Sequence, residues 1–147
     1  MMQGNEREFV ETLLKGNRYL VLSTTDGARP WIAPLEYMID EDLNLYFFSM
    51  EDSRHVADIE KNGSVAVTVF DRDQPDYSSD LSAPLHGVQI EATARRVPAG
   101  EYNEAIVAAI EALRPPMPPY AVFVIQPKHV YVPMIENGIN VRSEVRI

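Results

Sequence analysis

From His86 to Val97 the residues alternate without a break. Val88, Ile90, Ala92 and Ala94 fall on one face, and Gln89, Glu91, Thr93 and Arg95 fall on the other. A strand, with its period of two, turns this pattern into one buried and one polar face, so the segment predicts a sheet covering a core. Other segments extend that sheet. Tyr19 to Thr24 is apolar and β-branched, Thr25-Asp26-Gly27 has turn chemistry, and Trp31 to Met38 resumes an extended run, which together predict a hairpin. Asp40-Glu41-Asp42 supplies the next turn. Leu43, Leu45 and Phe47 then alternate with Asn44, Tyr46 and Phe48 in a third strand, and its aromatic residues on both faces predict cover on both. Val65 to Phe70 reads as a fourth strand, and Tyr120 to Gln126 and Lys128 to Pro133 as two β runs separated by Pro127, leaving a polar tail from Glu136.

Three helices fit between these runs. Asn5 caps the first, with Glu8 three residues on, and Phe9, Val10, Leu13 and Leu14 mark its apolar face before Gly16-Asn17. Asp52 is the expected cap of a short second helix through Val56 and Ile59, stopped at Asn62-Gly63. Tyr102, Ala105, Ile106, Ala109, Ile110 and Leu113 mark the third, which the proline-rich run Arg114 to Pro119 ends. Between the fourth strand and the alternating one, Asp71 to Pro84 is long and polar, the kind of loop expected to act as a lid. The fold class is therefore mainly β with α. We expect an antiparallel barrel of Greek-key type with flanking helices, formed as a single domain over residues 1–147.

Several function classes lose support on charge and motif grounds. A net charge of −9 with no basic stripe argues against nucleic acid as a partner. No run approaches the roughly 20 apolar residues of a membrane span, and the N-terminal residues read as an amphipathic helix, so a soluble, cytoplasmic protein is expected. Asp40, Asp42, Asn44 and Glu51 imitate a calcium loop, but its glycine position is Leu45, inside a buried strand pattern. The three histidines have no paired spacing and there is no cysteine, so no metal site is expected. GxSxG, GxxxxGK[ST] and GxGxxG are all missing, against serine-hydrolase, NTPase and Rossmann readings.

The stretch Leu45 to His55, LYFFSMEDSRH, is where chemistry concentrates. An apolar strand gives way there to Ser49, Ser53 and Arg54 at the start of a helix, where unpaired N–H groups and the macrodipole suit a phosphomonoester. Glu51 and Asp52 would repel that phosphate unless they point away, and an ordinary polar first turn is the competing reading.

The order of these segments resembles the FMN-binding split-barrel superfamily typified by pyridoxamine 5′-phosphate oxidase. The likeness rests on Arg29-Pro30-Trp31-Ile32-Ala33-Pro34-Leu35 as the strand beside the flavin and on Leu45 to Ser49 as the aromatic strand. Ser53-Arg54-His55 stands where the family has Ser-Arg-Lys, Gly87 to Ala94 closes the site, and Val122 to Val132 forms the final barrel hairpin. The resemblance implies that Ser49, Ser53, Arg54 and His55 hold the phosphate of FMN. It also implies that Phe48 and the backbone of Ala33, Pro34 and Leu35 approach the ring, and that Gln89 hydrogen-bonds to the ring or ribityl chain. It further implies a homodimer with flavin at the interface and an oxidoreductase acting on a small-molecule substrate. Apart from the resemblance, His86 or Tyr77, at the edges of the expected lid, is a candidate proton donor, since general acids are often His or Tyr. A flavin carrier or sensor without catalysis, and a deazaflavin- or haem-binding relative, are the alternatives. Two departures stand out. His55 replaces a lysine, which makes the phosphate clamp weaker or pH-dependent, and Arg142 and Arg146 do not reproduce the C-terminal Trp and Arg segment of true pyridoxamine phosphate oxidases.

Overall fold

The computed structural model describes residues 3–76, 83–112 and 120–147. A first helix, α1 (Gln3–Gly16), leads into the hairpin β1 (Tyr19–Thr25) and β2 (Pro30–Glu36), followed by the short β3 (Met38–Ile39) and by β4 (Leu45–Met50). After α2 (Arg54–Lys61) come β5 (Ser64–Phe70) and β6 (Gly87–Arg96). A single 3-10 turn and α3 (Glu104–Ala112) then precede β7 (Tyr120–Glu136) and β8 (Ile139–Val145). Pairing is antiparallel throughout the described strands, in the order β2-β1-β5-β6-β7-β4-β3. The two ends of that order, β2 and β3, are separated in the chain by Tyr37 alone, so the sheet has to curl back on itself. That closure is the antiparallel barrel the alternating patterns predict, in the split form the resemblance implies.

Tyr37 secures the closure. Its hydroxyl donates to the Leu14 carbonyl of α1 at 2.5 Å, its backbone N–H donates to Arg18 O, and burial pushes its pKa up to about 12. The main core fills the barrel with Leu20, Leu22, Val67, Ile90, Phe47, Phe123 and Ile125, plugged by Val10, Leu13 and Leu14 of α1. Phe47 and Phe123 pair directly across β4 and β7, and their rings stack at 5.2 Å. A second cluster packs Val97, Val122, Val124, Tyr46 and Phe48 against Ile106 and Ile110 of α3. The β4 strand is thus covered on both faces, as its two-sided aromatic pattern predicts.

β7 runs unbroken through Pro127. It pairs with β6 along one edge, and along the other with β4 over its first part and β8 over its last. The register of β6 on β7 shifts between Glu91 and Ala92, whose partners are His129 and Pro127, and a bulge there tolerates a residue with no N–H to give. The expected break at Pro127 is therefore a bulge, and the final hairpin is β7–β8 rather than Val122 to Val132. Nor is Glu136 onward a tail. Asn137 and Gly138 both take positive φ, 51° and 76°, and turn the chain into β8, whose Val145 enters the core.

Smaller corrections concern caps and loop ends. α1 starts at Gln3, which puts Asn5 inside the helix, and Ser53 rather than Asp52 stands at the N-cap of α2. Tyr102 precedes α3, whereas Leu113 and the run 114–119 lie outside the described residues. Of the expected lid, residues 77–82 also lie outside them, Tyr77 included. Its ends are clamped together. The Gln74 amide donates to the Asp71 and His86 carbonyls and accepts from the His86 N–H, and Asp71 N–H donates to His86 O.

Candidate functional site

Leu45, Phe47 and Ser49 alternate onto the inner face of β4, so Ser49, one residue before the strand's end, is a buried hydroxyl. The chain then turns. Ser53 N–H and Ser53 Oγ both donate to the Met50 carbonyl, at 3.1 and 2.9 Å, so the Ser53 side chain is spent on the turn and makes no cap bond to α2. The amides of the first turn of α2 keep their outward-facing donor capacity. The next residues divide by helical phase, with His55, Val56, Asp58 and Ile59 turned inward and Arg54 turned out.

His55 Nε2 lies 2.5 Å from Ser49 Oγ and 3.3 Å from Ser53 Oγ, and the two hydroxyls are 3.3 Å apart. Burial lowers the imidazole pKa below its ordinary value, and the nearby charge of Asp58 only partly opposes that. His55 is thus a neutral ring that orients two serines, with Phe47 tilted beside it at 6.0 Å. Asp58 in turn accepts from Thr24 Oγ1 at 2.8 Å, a buried bond that ties α2 to β1.

Arg54 lies with its guanidinium over the Trp31 ring, 4.4 Å from the centroid, on the exposed rim where β2 begins. Stacking leaves the edge N–H donors of the fork facing solvent. The acidic neighbours do not oppose an anion equally. Glu51 is drawn away into an ion pair with Arg96, which also approaches Glu60 at 3.8 Å, whereas Asp52 stays exposed in the turn. Of the residues expected to hold phosphate, Ser49, Ser53 and His55 form one hydrogen-bonded cluster, whereas Arg54 turns outward onto Trp31 and supplies the positive charge at the rim. The calcium-like acids form a turn, in which Asp40 accepts from Asp42 N–H, Asn44 N–H and the Tyr46 hydroxyl.

The other expected residues lie elsewhere. Phe48 points away from Ser49 and packs beneath α3. Ala33 and Leu35 pair with Leu22 and Leu20 on the core side, and Pro34 pairs with Val21 on the outer face. Gln89 is also on that outer face, in register with Thr68 and Tyr131, on the wall of an open cavity of about 550 Å³. Val21, Ile32 and Ala66 make its apolar side, and Arg142 reaches in from β8 to donate to Gln89 Oε1 at 2.7 Å. Arg142 is the residue that reasoning from sequence left without a place. The Asn137-Gly138 pair was the signal, because a two-residue turn there sets Arg142 opposite Pro133 and fixes which way its side chain projects.

The profile of a family described as Pyridoxamine 5′-phosphate oxidase matches residues 7–132. No curated protein matches the chain. Among solved structures, General Stress Protein 26 of Bacillus anthracis is 25% identical, covers 86% of this chain and 92% of its own, and superposes with a TM-score of 0.62. A FAD-binding protein of Mesorhizobium loti is 19% identical over 84% of this chain and 89% of that one, at a TM-score of 0.63. The haem storage protein HutZ of Vibrio cholerae shares 16% identity over 90% of this chain and 95% of its own, at a TM-score of 0.62. With the split barrel in place and the family profile running through most of its length, the chain belongs to the pyridoxamine 5′-phosphate oxidase family.

Proposed function

We propose that this protein binds FMN as a homodimer and carries out flavin-dependent redox chemistry on a small molecule. The observation that carries the reading is Arg54, held over Trp31 at the uncapped start of α2 with Glu51 turned away. The residues fit a phosphomonoester with one departure. Arg54 provides a fork and the first turn of α2 provides backbone donors, but neutral His55 adds no second charge where the family carries lysine.

The division of the expected residues between two faces supports a second copy. Arg54 and Trp31 sit at the rim on the inner side of the β1–β2 hairpin, whereas Gln89 and Arg142 sit on the outer face of the sheet. In a dimer, Arg54 of one protomer and Gln89 of the partner subunit would hold the flavin, and the exposed Ile32 and the apolar wall of the outer cavity would find cover in the same assembly. When bound, the isoalloxazine ring supplies the hydride or electron transfer. The protein's own part is to anchor, orient and shield. His86 is the remaining candidate proton donor, with its Nδ1 3.8 Å from Asp71 at the clamped end of the loop.

A haem reading has the support of the haem storage protein among the structural relatives, but the histidines here favour it less. His55 is buried with Nε2 taken by Ser49, and His129 Nδ1 is engaged with Glu144 at 2.6 Å. The deciding experiment is the absorbance spectrum of the purified protein, before and after adding FMN and removing the excess. Retained near-ultraviolet and blue bands are expected. A protein that stays colourless refutes the flavin reading, and a Soret band replaces it with haem. Light scattering of the loaded protein should give a dimer mass, and a monomer that still holds FMN would rule out the two-copy site.

A further inference from the structure

A second cavity, of about 220 Å³, lies between α1, the residues ahead of β6 and the later part of β7. Phe9 of α1, Leu85 and His86 ahead of β6, and Val132 to Met134 of β7 form its walls, and Glu6 lines it as well. Glu6 is the unusual member. It is 93% buried by its 7% exposure, yet it belongs to the first turn of α1, and among the described residues the hydrogen bonds to its carboxylate come from the Ser143 hydroxyl alone. That hydroxyl has one hydrogen to share between two oxygens, each 3.3 Å away, so most of the acceptor capacity of the carboxylate is unspent. The positive end of the α1 dipole softens the burial of a negative charge but does not supply a partner.

We infer that this cavity is a binding site for a small organic cation, a primary ammonium carried on one apolar ring, with Glu6 as its counter-charge. A metal ion would need several oxygen ligands, and the walls other than Glu6 are apolar or imidazole. Water alone matches poorly too, because apart from Glu6 it would face mostly hydrocarbon. A ring carrying a single ammonium matches both surfaces. Its apolar body lies against Phe9, Leu85, Val132 and Met134, and its N–H donors satisfy the Glu6 oxygens. His86 does not compete for Glu6. Its ring packs T-shaped against Phe9, 5.9 Å between centroids, and its Nδ1 faces Asp71.

The test compares benzylamine with benzyl alcohol, which keeps the ring and removes the charge, by amide chemical-shift titration of the purified protein. Benzylamine should give saturable shifts at Phe9, Leu85 and Met134 and bind at least tenfold more tightly than the alcohol. Glu6→Gln should erase that preference while the ring contacts remain. Equal binding of the two ligands, shifts that miss these residues, or a Glu6→Gln protein that still prefers the amine would each overturn the inference. Should Glu6→Gln fail to fold, the comparison on the unaltered protein decides the matter.

Discussion

Replacing Arg54 with alanine should weaken FMN binding while leaving riboflavin, which lacks the phosphate, bound as before. A hydrogen bond to a charged group is worth about 1.5–3 kcal/mol, which at 1.36 kcal/mol per tenfold spans roughly 13- to 160-fold in Kd. The structure selects the lower part of that range. Arg54 is exposed, so solvent screens its charge, and backbone donors of α2 remain in the variant, which argues for a loss of about 10- to 30-fold. The stack on Trp31 does not enter the comparison, because it is present in the free and the bound protein alike and so cancels in Kd. Nor can His55 compensate, being neutral and committed to Ser49. Flavin fluorescence quenching on titration with protein measures both ligands under one set of conditions. A loss of equal size for FMN and riboflavin would place Arg54 at the ring rather than at the phosphate, and a change below about threefold for FMN would refute its role altogether.

His55 should make stability fall in mild acid. Its folded-state pKa lies below the ordinary 6.5, so the unfolded chain takes the proton first. The contribution of this residue is then full above about pH 6.5 and declines as pH drops below it, by at most about 1.4 kcal/mol per pH unit. Urea titrations at pH 7 and pH 5 should show this dependence, and His55→Asn should flatten it; an unchanged slope in the variant would assign the effect to other groups. Thr24→Val removes the donor to buried Asp58 at nearly constant volume and should cost about 1–3 kcal/mol in denaturant unfolding, whereas a neutral result would mean water reaches that carboxylate. Phe47→Ala should cost about 3–5 kcal/mol by the same measurement, since it vacates a ring that is 1% exposed and stacked on Phe123, and a loss below 1 kcal/mol would show that the barrel collapses into the space.

What could be read in the sequence were the elements whose burial writes a period into the residues. β6 shows its two faces in strict alternation, and β4 announces cover on both sides through Tyr46, Phe47 and Phe48. The strand-to-helix junction at Ser49 to His55 was legible too, because polar residues after an apolar strand mark a turn and the start of a helix. β8 was not. Six of its seven residues escape full burial, so no apolar stripe marks it, and only the Asn137-Gly138 turn betrays the hairpin. Pro127 misled for a related reason: a proline ends a regular strand but fits a bulge, and a bulge depends on the register of a partner distant in the chain. The side-chain partners of the candidate site stayed hidden likewise. That Glu51 turns to Arg96, that Arg54 rests on Trp31, and that Arg142 meets Gln89 are all products of strand pairing across the barrel.

Trp31 is the sole tryptophan of the chain, and it lies beneath Arg54 at the rim of the proposed phosphate site. Its emission therefore reports one location and nothing else. With the indole 42% exposed, its spectrum should sit between those of a buried and a fully hydrated ring. A flavin arriving nearby absorbs where tryptophan emits and should drain that light by energy transfer, whereas loss of the guanidinium from its face should shift it without quenching. The molecule thus carries a built-in optical gauge at the place where its function is proposed to begin, one that can be read without label or substrate.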